Sequence, residues 1–285
     1  MCRLFAMSSA PARVRATFWL LDASDSLAAQ SRREPDGTGL GTFTESGEPL
    51  IEKQPLAAYQ DPAFATEARE RESTTFVAHI RYASTGGLTD ANTHPFTQRD
   101  RIFAHNGVLE DLPKLDAELG PYLSLVRGDT DSERLFALIT KHVDACGDVT
   151  AGIGEALRWV ADELPVLAAN LVLTTASEMW AVRYPDTHQL FVLERGGDAG
   201  RHLEHASAAG TVRVRSGDLA TAPAVVVASE PMDENPGWSP LAPGELLHVA
   251  PDLTVTRTVV VDHPPAHPLT MADLNPTAAA SQAGH

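Results

Sequence analysis

Between Asp131 and Cys146 apolar residues recur at helical spacing. Leu135, Leu138, Ile139, Val143 and Cys146 fall on one face, which predicts a helix over 131–146 with Cys146 as a small core residue. Asp131 and Glu133 stand at its start, where carboxylates complement the helix dipole. A second helix is predicted over 151–163 and a polar one over 62–72. Residues 15–33 read as partly helical and end at the turn signal Glu34-Pro35-Asp36-Gly37. Elsewhere β-forming residues come in short runs: 3–7, 75–82 and 101–105, then 169–175, 178–184, 189–194, 224–228, 246–249 and 254–261. Residues 38–44 and the Leu50-Ile51 pair flank Gly47 and predict a hairpin. Strands, then helices, then strands, with hairpins throughout, favour an α+β layering over a doubly wound parallel sheet. Asp36-Gly37-Thr38-Gly39-Leu40-Gly41 carries three glycines but leads into a strand, which counts against a nucleotide-binding loop. From His263 onward Pro, Ala, Ser and Gly predict a disordered tail over 263–285, leaving a single domain over 2–262.

Composition narrows the function. The 285 residues are 43% apolar and 21% charged, enough for a substantial core. Lys plus Arg number 22 against 38 Asp plus Glu, a net charge of −16. Such a chain repels a phosphate backbone, so no nucleic-acid partner is expected. Two cysteines, Cys2 and Cys146, offer no disulfide framework. No signal peptide is visible and no apolar run is long enough to span a bilayer, so a cytoplasmic protein without membrane association is expected.

The chemistry of interest begins at Cys2. Removal of Met1 would leave one residue carrying both a thiol and a free α-amine. An α-amine titrates at about 7.7–8.0, so it can serve as the base for its own thiol. A nucleophile also needs an oxyanion hole and a substrate clamp, and three segments offer them. Arg81, in His79-Ile80-Arg81-Tyr82-Ala83-Ser84, can fork onto a carboxylate, or can be a surface ion pair. Asn106 and Gly107, at the end of the 101–105 strand, can aim an amide and a backbone N–H at an oxyanion, or can be an ordinary hairpin turn. Asp131, in Gly128-Asp129-Thr130-Asp131-Ser132-Glu133, can accept from an ammonium, or can merely cap its helix. His79, His94, His105, His142, His263 and His267 make no His-Glu-x-x-His pattern, and Asp129-x-Asp131-x-Glu133 lacks the glycine of a calcium loop, so neither metal nor cofactor is expected.

Met1-Cys2, His79 to Ser84, Asn92-Thr93-His94-Pro95-Phe96, His105-Asn106-Gly107 and Asp131-Ser132-Glu133 occur in that order. Together the chain resembles the class II glutamine amidotransferases, a branch of the N-terminal nucleophile hydrolases. The resemblance covers about residues 2–135, and a later stretch, Ala228 to Asp233 followed by Pro236-Gly237-Trp238, also resembles this family. It is similar to the small standalone members, among them an ergothioneine-pathway hydrolase that cleaves a γ-glutamyl amide.

The resemblance implies a four-layer αββα sandwich of two antiparallel sheets. It implies Cys2 as nucleophile with its α-amine as base, and Asn106 and Gly107 as the oxyanion hole. Arg81 would bind the α-carboxylate and Asp131 the α-ammonium of a glutamyl group, with His94-Pro95 a structural element nearby. The substrate implied is glutamine or another γ-glutamyl amide, cleaved through a thioester. Two positions depart from relatives: Thr38 where standalone members often have an aromatic residue, and Tyr82 where members coupled to sugar synthesis often have Trp. Both leave the leaving group open. About 150 residues follow Asp131, too few for a synthetase domain, so any ammonia acceptor would be a synthetase partner in trans. The alternative is a non-catalytic subunit that binds a γ-glutamyl compound or a synthetase on the same fold.

Overall fold

A computed structural model describes residues 2–83, 86–196, 204–206, 213–215 and 222–282. In the first half of the chain the strands are β1 (Arg3–Ser8), β2 (Gly37–Phe43), β3 (Pro49–Gln54), β4 (Thr75–Arg81), β5 (Phe96–Gln98) and β6 (Arg101–Leu109). After the helical block come β7 (Pro165–Thr174), β8 (Met179–Val182), β9 (Phe191–Arg195), β10 (Glu204–Ala206), β11 (Arg213–Arg215) and β12 (Ala224–Ala228). Four more follow: β13 (Ser239–Pro240), β14 (Glu245–Val249), β15 (Val255–Val259) and β16 (His267–Pro268). The α-helices are α1 (Leu27–Gln30), α2 (Pro62–Glu70), α3 (Leu112–Leu119), α4 (Asp131–Cys146), α5 (Val149–Glu163) and α6 (Pro276–Gln282).

The strands form two seven-stranded sheets. The first runs β13-β9-β12-β1-β4-β2-β3; the second runs β15-β14-β8-β7-β6-β5, with β16 beside β7. Pairing is antiparallel except at β16, which lies parallel to the start of β7. β10 and β11 pair only with each other.

Strand alternation explains the layers. In β1 and β4, Phe5, Met7, Phe76, Ala78 and Ile80 point to one side, where they bury Trp19, Leu27 and Phe64 from the helical segments of that face. The alternate positions, Leu4, Ala6 and Val77, point the other way and meet Ile102, Ala104, Val172 and Ala181 of the second sheet. The far side of the second sheet, through Phe103, Leu171 and Leu173, packs on Leu135, Leu138 and Ile139 of α4 and on Leu157 and Val160 of α5. The result is helices, sheet, sheet, helices: the αββα order that the resemblance implies.

Three segments differ from the sequence expectations. Cys146 is exposed rather than in the core: burial fades along the last turn of α4, from half-buried Val143 to exposed Ala145 and Cys146. Residues 112–125, for which the pattern predicts nothing, form α3 and a 3-10 stretch, Gly120–Leu125. Pro113 sits in the first turn of α3, where its missing N–H leaves no bond unmade. Finally, residues 264–282, where composition predicts disorder, carry β16 and α6. Leu274 and Ala278 bury against Val108 and Leu167, and Gln282 Oε1 meets His188 Nε2 at 2.9 Å. Two apolar anchors spread over so many residues give no periodicity to read. Residues 283–285 lie outside the described residues.

Candidate active site

Cys2 immediately precedes β1, a strand with neighbours on both sides. Arg3 pairs with Ile80, so Cys2 comes opposite Arg81 on the face between the sheets. Cys2 is 9% exposed. Its Sγ accepts the Tyr82 N–H at 3.2 Å and lies 3.3 Å from the Tyr82 carbonyl. Burial pushes the thiol up from its ordinary value, and the charge of Glu34 adds to this. The Tyr82 N–H and the Arg81 guanidinium act in the opposite sense, because both favour a thiolate. Glu34 is itself buried and ion-paired with Arg3 at 3.4 Å.

Asn106 reaches the same place from the second sheet. It follows Ile102 and Ala104 on the inward face of β6, and its Nδ2 donates to the Cys2 carbonyl at 2.8 Å. The strand does not end in a turn at Asn106-Gly107 but runs on to Leu109. Gly107 is required by close approach: a Cβ there would lie 1.9 Å from the Ala168 carbonyl oxygen of the neighbouring strand.

Arg81 ends β4. Its Nη1 donates to the Gly87 carbonyl at 3.1 Å and its Nη2 to that of Gly86 at 3.4 Å. Burial lowers its basicity, while the charges of Cys2, Asp36 and Asp131 support the cation. Asp131 is the first residue of α4, but the cap is Thr130, whose Oγ1 accepts the Glu133 N–H at 3.3 Å. The Asp131 carboxylate instead accepts the Leu109 N–H at 2.9 Å, beside the register shift between Val108 and Leu109. That bond ties the start of α4 to the end of β6. Cys2, Arg81, Asn106, Gly107 and Asp131 therefore converge at one end of the sandwich.

Behind them lies a buried group of histidines. The rings of His79 and His94 stand 4.2 Å apart, and His94 packs on Phe96. His105 Nδ1 bonds Ser132 Oγ at 2.9 Å. Burial holds all three imidazoles below their ordinary value, and the Arg81 charge lowers His79 and His94 further. They are neutral at physiological pH. Lys53 reaches into the same region, donating to the Thr93 carbonyl at 2.7 Å, and so holds the His94-Pro95 segment from outside. Sequence reasoning singled out neither Glu34 nor the Tyr82 N–H, because both act on Cys2 across long stretches of chain. Asn92 was legible only as the first letter of a motif. Met1 and Ser84 lie outside the described residues.

A family model described as glutamine amidotransferases class-II matches residues 1–272. The chain is 32% identical over 136 residues to the probable glutamine amidotransferase DUG3 of Saccharomyces cerevisiae, covering 43% of this chain and 38% of that protein. It is 26% identical over 260 residues to the γ-glutamyl-hercynylcysteine sulfoxide hydrolase of Mycolicibacterium smegmatis, covering 87% of this chain and 96% of that one. Its fold matches the glutamine phosphoribosylpyrophosphate amidotransferase of B. subtilis with a TM-score of 0.64 at 20% identity, over 92% of this chain and 50% of that chain. This chain thus spans half or less of the yeast and B. subtilis proteins and nearly all of the mycobacterial one. Among the described residues no helix is long and apolar enough to cross a membrane.

Proposed function

The chain belongs to the class II glutamine amidotransferases, and from that premise we propose that it is a hydrolase of a γ-glutamyl amide, glutamine or a γ-glutamylated metabolite, acting through a Cys2 thioester. The observation that carries this reading is the meeting of Cys2 and Asn106, one from each sheet, with Nδ2 2.8 Å from the Cys2 carbonyl. One N–H of that amide is engaged there; the other is available for a developing oxyanion.

With Met1 removed, the α-amine of Cys2 takes the thiol proton. The thiolate adds to the γ-carbonyl, and the oxyanion forms against the Asn106 amide and the Gly107 N–H. Collapse breaks the C–N bond, and the terminal ammonium returns its proton to the departing amine or ammonia. Water then cleaves the thioester and glutamate leaves. Arg81 and Asp131 hold the α-carboxylate and α-ammonium. The Mycolicibacterium relative, a γ-glutamyl-hercynylcysteine sulfoxide hydrolase by name, is matched over 96% of its length. That favours a standalone hydrolase with an amine leaving group over a glutaminase feeding a synthetase in trans.

Intact mass of untagged protein, before and after 6-diazo-5-oxo-norleucine, tests the reading. Loss of the Met1 mass and one stoichiometric adduct on Cys2 is the expected result. Retained Met1 without an adduct would overturn it and leave a non-catalytic binding subunit.

A further inference from the structure

Two loops frame the proposed glutamyl clamp, and one side chain joins them. Asn92 ends a 3-10 turn, Asp90–Asn92, and is 2% exposed. Its Oδ1 accepts the Asp129 N–H at 2.8 Å. Its Nδ2 donates to the Gly87 carbonyl at 3.2 Å and lies 3.5 Å from Asp129 Oδ2. The Gly87 carbonyl is also the acceptor for Arg81 Nη1, at 3.1 Å. Asp129 lies two residues before Asp131. A single carboxamide therefore touches both the carbonyl that orients the guanidinium and the segment that delivers the carboxylate.

The seat is closely built. A Cβ on Gly128 would lie 2.4 Å from Asn92 Oδ1 and 2.8 Å from the Ala91 carbonyl oxygen, so the two backbones meet without an intervening side chain. The chemistry also requires an amide. An aspartate at 92 would still accept from Asp129 but could not donate to Gly87, and it would face the Asp129 carboxylate.

We infer that Asn92 is a positioning residue that sets the spacing of Arg81 and Asp131, and with it the recognition of both charged α-substituents of the glutamyl group. This rests on the clamp assignment proposed above. Asn92 has no bond to Cys2 or Asn106 among the described residues, so it acts on binding and not on the attack at the γ-carbon. Its loss removes about two hydrogen bonds, which predicts roughly a tenfold loss of affinity.

The test uses the full chain and 6-diazo-5-oxo-norleucine, which carries both α-substituents. In Asn92→Ala the KI of labelling rises about tenfold while kinact stays within threefold. Protection by L-glutamate weakens about tenfold, and protection by glutarate, which lacks the α-ammonium, changes less than threefold. Asn92→Asp, nearly isosteric, shows the same split and keeps the test valid if the alanine variant folds poorly. Equal weakening of glutamate and glutarate, or a fall in kinact at unchanged KI, overturns the inference. A wild-type protein that takes no label would instead sink the hydrolase reading itself, which keeps the two failures apart.

Discussion

Acid should destabilise this protein through its buried histidines, and His79 lets the effect be worked out. Its ring is 0% exposed, and neither nitrogen has a partner in good hydrogen-bond geometry, although the His105 backbone offsets part of the loss. Desolvation first, then the charges of Arg81 and His105, bring its pKa down to about 3. In the unfolded chain it returns to about 6.5. Below pH 6.5 the unfolded state therefore binds a proton that the folded state refuses, and stability falls as pH drops from about 6.5 towards about 3. At pH 5 His79 alone accounts for about 2 kcal/mol of lost stability relative to pH 8, or roughly 3 °C in Tm for a chain of this length. His94 moves in the same direction. The assay is urea unfolding of wild type and His79→Phe at pH 8, 6.5 and 5. The phenylalanine ring has a packing cost of its own, but that cost does not vary with pH. The difference in stability between the two proteins should shrink by about 2 kcal/mol from pH 8 to pH 5. Parallel pH dependences would refute the claim that His79 is held neutral.

Two substitutions at the site complete the set. Asn106→Ala removes the proposed oxyanion donor and should lower kcat by about 10²–10³, with the near-ultraviolet circular dichroism spectrum unchanged; full turnover would refute the assignment. Gly107→Ala places a methyl 1.9 Å from the Ala168 carbonyl oxygen and must push β6 from β7, so both thermal stability and activity should fall; a wild-type Tm would show that the strand spacing yields more readily than the geometry implies.

The sequence made the layered fold legible where a period was present. The apolar stripe of Leu135, Leu138 and Ile139 marks the buried face of α4, and the Gly47 turn marks the β2–β3 hairpin. It failed where one local pattern admits two structures. Asn106-Gly107 suits a tight turn, but it lies inside β6, where the neighbouring backbone leaves no room for a Cβ at Gly107. Cys146 continues the stripe of α4 past its last buried turn. At the site, the residues with distinctive chemistry, Cys2, Arg81, Asn106 and Asp131, could be named from their motifs. Their supports could not. The Tyr82 N–H reaches Cys2 across 80 positions and Asn92 reaches Asp129 across 37, and neither contact leaves a mark in local composition.

The place of β1 in its sheet governs when Cys2 is fixed in position. Phe5 pairs with Ala78 on one side and with Ala228 on the other, and the Leu4 N–H donates to Ser229 Oγ at 2.9 Å. Contacts so distant in sequence close late in folding. Synthesis proceeds from the N-terminus, so the strand that follows Cys2 waits for its second neighbour until Ala228 has been made. The proposed nucleophile is thus made long before its strand is paired on both sides. A chain cut short before Ala224 would carry Cys2 with its Tyr82 and Asn106 contacts encoded, but its strand would lack the neighbour on one side.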